Sequence, residues 1–226
     1  MGKNKLERFA ETATFRNFIQ LPDYHFTEDH LLKNKWAADF FGNHNPVFLE
    51  LGCGKGEYTV GLSRLHPENN YIGVDIKGAR MWRGAKTAIE NNIGNAGFLR
   101  IHINQINRFF GANEVDGIWI TFPDPQPQKA RAGKRLTSPE FIARYRELLK
   151  PDAVIHLKTD SAELFDYTLD VIGQYGHQLI LETHDLYTSA METEAKKIQT
   201  FYESRFLSEG KKICYLQFRL NPIEKE

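Results

Sequence analysis

Residues 47 to 57 read Val-Phe-Leu-Glu-Leu-Gly-Cys-Gly-Lys-Gly-Glu, a short apolar run that leads into three alternating glycines. This order is typical of a β-strand that turns sharply into a helix, and glycine lets the turning backbone approach a ligand closely. The spacing is GxGxG, and Glu57 stands where the dinucleotide-binding fingerprint requires a glycine. The motif therefore argues against a nicotinamide dinucleotide. A tight strand-to-helix turn without a ligand also requires glycine, so the motif alone leaves that alternative open.

Four more apolar runs follow, separated by amphipathic stretches. They cover residues 71–75, 98–103, 115–122 and 153–157. Strands that alternate with helices predict an α/β fold, with a parallel sheet and right-handed crossovers. Two further apolar segments, 177–181 and 213–220, flank a polar helix predicted near residues 192–208.

Local signals predict where several helices begin. Ser138 precedes Pro139 and Glu140, the order of an N-cap, a first-turn proline and a first-turn acid. Another helix is predicted from just after Asp160 to about residue 175. Residues 1–45 combine charges with scattered aromatic side chains, show no alternating strand pattern and include one predicted helix over 27–41. We expect this segment to form an N-terminal arm or lid, and residues 46–226 to form the main domain.

The 226 residues contain 29 Lys+Arg and 29 Asp+Glu, so the formal net charge is zero. A neutral chain has no overall field that attracts polyanions, so an anionic partner must be bound by a local cationic patch. The 41% hydrophobic content is typical of a globular domain and excludes disordered and collagen-like chains. Two cysteines without metal-ligand spacing predict neither a disulfide scaffold nor a metal site. No apolar run is long enough for a membrane span, and we expect a cytoplasmic protein without a membrane partner.

Three side chains near predicted strand ends suggest the kind of ligand. Glu50 lies in an apolar strand, where a carboxylate is unfavourable unless it has a partner, and a cationic ligand would provide one. Asp75 ends the second strand, 19 residues after Gly56, where such folds place an acid that binds ribose hydroxyls. Helix capping is its alternative role. Asn104 follows the third strand and either contacts an adenine or forms a turn. Together with the glycines, these residues favour S-adenosylmethionine over a dinucleotide.

The fourth strand runs into Thr-Phe-Pro-Asp-Pro-Gln-Pro-Gln at residues 121–128. Prolines on both sides of Asp124 restrict its backbone, so its carboxylate is positioned in advance, and we predict that it is the catalytic residue. The next residues include four cations and no acid, which predicts a phosphate-binding surface or, alternatively, a solvated loop. These cations are Lys129, Arg131, Lys134 and Arg135.

Taken together, the sequence resembles the class I methyltransferases and, among them, the bacterial tRNA (guanine-N7)-methyltransferases. The likeness extends from Glu50 to near Phe206. It implies a Rossmann-like, seven-stranded, mostly parallel sheet with an antiparallel last strand. It also implies methyl transfer from S-adenosylmethionine to N7 of a guanosine in tRNA, at position 46 of the variable loop. Three motifs carry it: Pro123-Asp124-Pro125 with Lys134-Arg135-Leu136, Leu157-Lys158-Thr159-Asp160, and Thr200-Phe201-Tyr202-Glu203.

The resemblance assigns roles to individual residues. Asp124 is implied as the catalytic acid. The residues implied to hold the methyl donor are Glu50, Gly52, Gly54, Gly56, Asp75 and Asn104. Those implied to hold the substrate are Gln128, Lys129, Arg135, Asp160, Thr200 and Glu203.

Some of these assignments have alternatives. Asp160 with Glu163, and Thr200 with Glu203, also match the spacing of a helix capping box. The chain departs from the family at Gln126 and Gln128, which replace the usual Trp and Lys, and at Asn104, which replaces an acid.

Three other functions remain open from the sequence. One is a non-catalytic RNA-binding protein on this fold, suggested by Gln126 and Gln128. The second is a methyltransferase acting on an exocyclic amino group. The third is a nicotinamide oxidoreductase, which a failure to bind S-adenosylmethionine would favour. We further expect a monomer or homodimer whose N-terminal arm helps to bind tRNA through its cations. These are Lys3, Lys5, Arg8 and Arg16.

Overall fold

Eight strands form a single sheet in the computed structural model, which describes residues 3–21 and 27–222. Their order is β1-β4-β3-β2-β5-β6-β8-β7, and β8 runs antiparallel to β6 and β7. The strands are β1 Phe18–Gln20, β2 Val47–Leu51, β3 Asn70–Asp75, β4 Ala96–Arg100, β5 Val115–Thr121, β6 Leu149–Thr159, β7 Gln178–Thr183 and β8 Cys214–Arg219.

Helices connect the parallel strands. The α-helices are α1 Lys3–Thr12, α2 Glu57–Leu65, α3 Gly78–Glu90, α4 Pro139–Leu148, α5 Ala162–Gln174 and α6 Phe201–Ser208. Shorter turns include a π-helical turn, Trp36–Phe40, and 3₁₀ turns at Ile103–Arg108, Lys129–Lys134 and Glu194–Lys196. Ser138 caps α4 and Pro139 opens it, as predicted. The helix predicted over 192–208 is shorter, because Thr200 caps α6 and starts it there.

The direction of the chain across the sheet reverses between β2 and β5. From β2 the order runs outward through β3 and β4 on one side and through β5 and β6 on the other. The α/β class and the mostly parallel sheet are thus confirmed. Central side chains such as Leu49, Ile72 and Ile118 have no exposed surface. Each fully buried side chain of this size contributes about 1.5–3 kcal/mol to stability.

The N-terminal segment differs from the prediction in two ways. Phe18–Gln20 pairs in parallel with β4 and adds an eighth strand to the seven expected. A strand of three residues is too short to show an alternating pattern. The helix predicted over 27–41 is wrong, since only the π-helical turn at Trp36–Phe40 is helical there. Two of the aromatic residues of this segment, Tyr24 and Phe26, lie outside the described residues.

Tertiary contacts explain why residues 31–40 do not form a regular helix. The Glu114 carboxylate accepts hydrogen bonds from the backbone N–H groups of Asn34 and Trp36, at 2.8 and 3.1 Å. The buried Trp36 indole donates to the Phe109 carbonyl at 2.7 Å. These bonds fix the turn against the start of β5. The division into an arm, 1–45, and a domain, 46–226, stays a prediction.

Helix α1 packs on α3. Glu11 accepts hydrogen bonds from Lys86 and from the Trp82 indole, at 2.7 and 2.6 Å, and the Arg8 guanidinium lies 4.7 Å from the Trp82 ring centre. None of the helices in the described part of the chain is long and apolar enough to cross a membrane.

Candidate active site

A cleft of about 620 Å³ opens at the carboxyl ends of β2, β3, β5 and β6, where the sheet order reverses. Ligands bind at this place in open α/β sheets. The cleft gathers residues from every motif that the sequence analysis singled out. Those predicted site residues that line it are Glu50, Gly52, Gly54, Asp75, Asp124, Asp160 and Thr200.

Glu50 is buried beneath the cleft. Its carboxylate accepts hydrogen bonds from the Thr59 backbone N–H at 2.7 Å, from the Thr59 hydroxyl, and from the Thr121 hydroxyl at 2.9 Å. Burial raises the pKa of Glu50 to about 7, although these hydrogen bonds act to lower it. The carboxylate therefore has partners within the protein, and both of its protonation states are accessible near neutral pH.

Asp75 holds the glycine turn in place. Its carboxylate accepts hydrogen bonds from the backbone N–H groups of Gly54, at 2.9 Å, and Lys77, at 2.8 Å. The N-cap of α3 is Lys77, with no side-chain cap, so helix capping is not the role of Asp75. Gly52 and Gly54 have φ angles of 75° and 55°, which favour glycine. The backbone of this glycine turn therefore forms part of the floor of the cleft.

Two residues predicted to hold the donor, Gly56 and Asn104, are not part of the cleft lining. Gly56 is needed for packing, because a Cβ atom there would lie 2.4 Å from the Phe98 ring. Asn104 lies in the 3₁₀ turn after β4 and lines a separate cleft with Asp29, Lys33 and Arg108. A contact of Asn104 with the donor stays a prediction.

The loop that carries Asp124 has an unusual backbone. Phe122 and Gln126, the residues on either side of Pro123-Asp124-Pro125, have φ angles of 48° and 44°. Such conformations cost about 1–3 kcal/mol each for residues other than glycine and persist only where surrounding contacts enforce them. The Asp124 carboxylate accepts a hydrogen bond from the Gln126 N–H at 3.1 Å, and the side chain is exposed to the cleft.

Arg135 provides one of the enforcing contacts. Its guanidinium donates to the carbonyls of Pro125, at 3.1 Å, and Gln126, at 3.2 Å, and to the Glu163 carboxylate at 2.7 Å. It also stacks 4.3 Å from the Tyr167 ring centre, and only 5% of the residue is exposed. A phosphate contact was predicted for Arg135, but its Nε and Nη2 donors already bind the loop carbonyls and Glu163. The geometry favours a role in positioning the Asp124 loop.

The other predicted cations of this stretch lie on the surface. Gln128 precedes the 3₁₀ turn that Lys129 begins, and both are exposed outside the cleft. Lys134, from the same turn, lines the cleft. Among the described residues, no carboxylate forms a salt bridge with Lys129, Arg131 or Lys134.

Asp160 faces the cleft at the end of β6. Ser161, not Asp160, caps α5 by accepting a hydrogen bond from the Leu164 N–H at 3.2 Å, so the capping alternative for Asp160 is wrong. The Asp160 carboxylate pairs with Lys211 at 3.0 Å.

Thr200 and Glu203 do form a capping box at the start of α6. Thr200 lines the cleft, but Glu203 is fully buried below it. The Glu203 carboxylate lies 2.5 Å from Lys158 Nζ and accepts a hydrogen bond from the Tyr187 hydroxyl at 2.7 Å. A direct contact between Glu203 and a substrate, as predicted, is not favoured by this geometry.

Lys158 is a buried residue to which the sequence analysis gave no role. Its ammonium also donates to the carbonyls of Ala195, at 2.6 Å, and Ile198, at 3.1 Å. Burial lowers the pKa of Lys158 to about 8, although Glu203 acts to raise it. The residue thereby fixes the segment before α6 to β6. The sequence signal for this buried charge was a lysine directly after the apolar run 153–157.

Comparisons with known proteins agree with the geometry. A protein family described as "Putative methyltransferase" matches residues 44–216. The tRNA (guanine-N(7)-)-methyltransferase of Christiangramia forsetii is 49% identical over 221 residues, which cover 97% of this chain and 99% of that protein. The enzyme of the same name from Bacteroides thetaiotaomicron is 49% identical over 225 residues, 97% of this chain and 87% of that protein.

Solved structures share the fold at low sequence identity. The 16S rRNA (adenine(1408)-N(1))-methyltransferase from Catenulisporales acidiphilia, in a crystal structure with the cosubstrate SAM, has a TM-score of 0.55 and is 16% identical. The match covers 91% of this chain and 98% of that chain. Identity this low supports the shared fold and nothing further.

The buried pair predicts a large effect on stability. Lys158→Met leaves the Glu203 carboxylate buried without its cation, and we expect the free energy of unfolding to fall by about 3–5 kcal/mol in urea titrations. The matched control, Lys211→Met, removes the half-exposed partner of Asp160 and should change it by less than about 1 kcal/mol. The double variant Lys158→Met/Glu203→Met should recover part of the loss, because it removes the unpaired charge but also the capping box of α6 and the acceptor of the Tyr187 hydroxyl. Equal, small effects for both lysines would contradict this account.

Proposed function

The chain belongs to the bacterial tRNA (guanine-N7)-methyltransferase family, and we propose that it methylates a guanosine of tRNA in the cleft that contains Asp124. It is an enzyme that transfers a methyl group from S-adenosylmethionine to N7 of guanosine. The observation that carries the proposal is the meeting of Glu50, Asp75, Asp124 and Asp160 in one cleft. The guanosine at position 46 of the variable loop is the proposed target, in a cytoplasmic enzyme that acts as a monomer or homodimer.

The residues of the cleft fit S-adenosylmethionine. The donor carries cationic groups, and the cleft lining contains five carboxylates beside four cations. One of the five, Glu50, ionises near neutral pH. Gly52 and Gly54 have no side chains to obstruct a ligand on the turn, and Asp75 offers a carboxylate beside them. When bound, S-adenosylmethionine supplies an activated methyl group on a sulfonium.

Guanine N7 carries a free lone pair and loses no proton on methylation, so the protein does not need a general base. Its contribution is therefore orientation and electrostatic stabilisation. Methylation makes the purine cationic, and we propose that Asp124 stabilises the developing charge or accepts hydrogen bonds from the base. We propose that Asp160 accepts from the guanine N–H groups, since an ionised carboxylate is only an acceptor.

Access to N7 limits how the substrate can bind. N7 lies on the major-groove edge of guanine, and an RNA helix makes that groove deep and narrow. The target guanosine must therefore lie in an exposed or opened part of the tRNA. Gln126 and Gln128 differ from the usual residues of the family, but the loop that carries Asp124 does not depend on their side chains. Arg135 binds this loop through its main-chain carbonyls.

The reaction itself is the first test. Incubation with S-adenosylmethionine and unmodified tRNA should produce 7-methylguanosine, detected by mass spectrometry of the digested RNA. Asp124→Asn keeps the size of the side chain and removes its charge, and we expect kcat to fall roughly a hundredfold or more. Donor binding should be retained. A wild-type protein that binds the donor but yields no 7-methylguanosine would favour the non-catalytic alternative.

A second prediction separates positioning by Arg135 from tRNA binding. Arg135→Ala frees the strained Asp124 loop, so kcat should fall roughly tenfold or more. The salt dependence of tRNA binding should stay the same as in the wild type. Arg135→Lys should not restore kcat, because an ammonium cannot reproduce the planar fork of donors. Lys129→Ala is the control and should lower the salt slope by about one unit. A lower slope with normal kcat in Arg135→Ala would instead support the phosphate contact.

A third prediction concerns pH and Glu50. The pKa of Glu50 is about 7 in the free protein, and a cationic ligand favours its ionised form. The affinity for S-adenosylmethionine should therefore rise between about pH 6 and pH 8, with proton release on binding near pH 6.5. Calorimetric titrations at several pH values measure both quantities. Glu50→Gln should bind more weakly and without this pH dependence. A wild-type affinity that does not change with pH would contradict the assignment.

A further inference from the structure

A second cleft, of about 510 Å³, adjoins the candidate active site and shares Lys55 and Glu57 with it. It follows α2 from Gly56 at the start of the helix to Leu65 at its end. One wall is the part of α3 around Arg83, and the other is the segment 197–199 that precedes α6. We call this cleft the lateral groove.

The lateral groove carries a local excess of positive charge. Its lining contains four cations, Lys55, Arg64, Arg83 and Lys197, and one acid, Glu57. Arg64, Arg83 and Lys197 are exposed. The groove is thus a local cationic surface on a chain that has no net charge.

Little of this charge is neutralised within the protein. In the part of the chain that the structure describes, no salt bridge involves Lys55, Arg64 or Lys197, while Arg83 pairs with Glu90 at 3.2 Å. The Glu57 carboxylate already accepts a hydrogen bond from the Phe201 backbone N–H at 3.2 Å. The groove is therefore suited to an anionic partner.

An exposed aromatic side chain marks the junction of the groove and the active-site cleft. Phe201 is 59% exposed, and Lys55 Nζ lies 4.1 Å from its ring centre. It follows Thr200, which lines the active-site cleft, and precedes Tyr202, which is 39% exposed and lines that cleft too. An apolar ring with this exposure makes little contribution to the core.

Cations along a groove, with exposed aromatic side chains at its end, are the combination that binds single-stranded nucleic acid. The cations follow the phosphates and the rings stack on bases. We propose that the lateral groove binds the backbone of the tRNA strand on one side of the target guanosine, and that Phe201 stacks on a neighbouring base. The proposal rests on the proposed function, because it takes tRNA as the substrate of the adjoining cleft.

The experiment measures tRNA binding, which does not depend on turnover. The double variant Arg64→Glu/Lys197→Glu should lower the affinity for unmodified tRNA at least tenfold at about 150 mM salt. Because each single-strand phosphate contact contributes about 0.7 to the salt slope, the slope should fall by about 1.4 units or more. The affinity for S-adenosylmethionine should not change.

Two further variants complete the design. Phe201→Ala should weaken tRNA binding roughly fivefold or more, since a stacked base contributes about 1–3 kcal/mol, and Phe201→Trp should retain it. The control is Lys35→Glu, which reverses the charge of an exposed lysine away from the groove. Its neighbour Trp36 binds Glu114, just before the start of β5. This control should bind tRNA as the wild type does.

The outcomes separate the two proposals. If Arg64→Glu/Lys197→Glu binds tRNA with the affinity and salt slope of the wild type, the proposed role of the groove is wrong. An equal loss of tRNA affinity in Lys35→Glu would also contradict it. Wild-type affinity in Phe201→Ala would overturn the stacking contact. A wild-type protein that binds tRNA through these residues but forms no 7-methylguanosine would overturn the proposed function and support the groove.

Discussion

The buried carboxylate of Glu50 joins the three elements that define the site. It lies on β2, it accepts hydrogen bonds from Thr59 on α2, and it accepts another from Thr121 at the end of β5. The bond to Thr121 crosses from β2 to β5, where the strand order reverses, and the bonds to Thr59 fix α2 to the floor of the cleft. A buried charge is unfavourable without such partners, and its raised pKa reflects the desolvation that remains. The same residue thus connects the architecture to the binding of a cation.

Two other buried charges act on the loops above this floor. Arg135 binds the carbonyls of the strained loop that carries Asp124, and Lys158 binds the carbonyls of the segment before α6. Arg135 pairs with the exposed carboxylate of Glu163, and Lys158 pairs with the buried carboxylate of Glu203. Apolar packing could stabilise these loops as well, but it would not fix individual carbonyl groups. Directional bonds to main-chain atoms hold loop residues more precisely, which is what a reaction that depends on orientation requires.

The sequence predicted the features that depend on local patterns. Apolar runs gave the central strands, and Ser138 with Pro139 gave the start of α4, because strand patterning and helix caps are encoded within a few residues. Features decided by distant contacts were missed. Phe18–Gln20 becomes a strand only because β4 offers a free edge, and Trp36 leaves the expected helix because Glu114 binds its backbone. Arg135 and Glu203 have the residue types of substrate ligands, and only their burial shows that other contacts already occupy them.

The distribution of charge also constrains how a polyanion reaches a site of this kind. The lining of the active-site cleft contains five carboxylates, Glu50, Glu57, Asp75, Asp124 and Asp160, and four cations, Lys55, Lys77, Arg80 and Lys134. Because the two signs nearly balance, the cleft has no strong attraction for phosphate groups, whereas the lateral groove beside it has four cations and one acid. An RNA backbone is therefore attracted more strongly to the lateral groove than to the cleft, which an uncharged base can enter without its phosphates. A neutral chain lacks a long-range field, so this local difference in charge has to orient the RNA at close range.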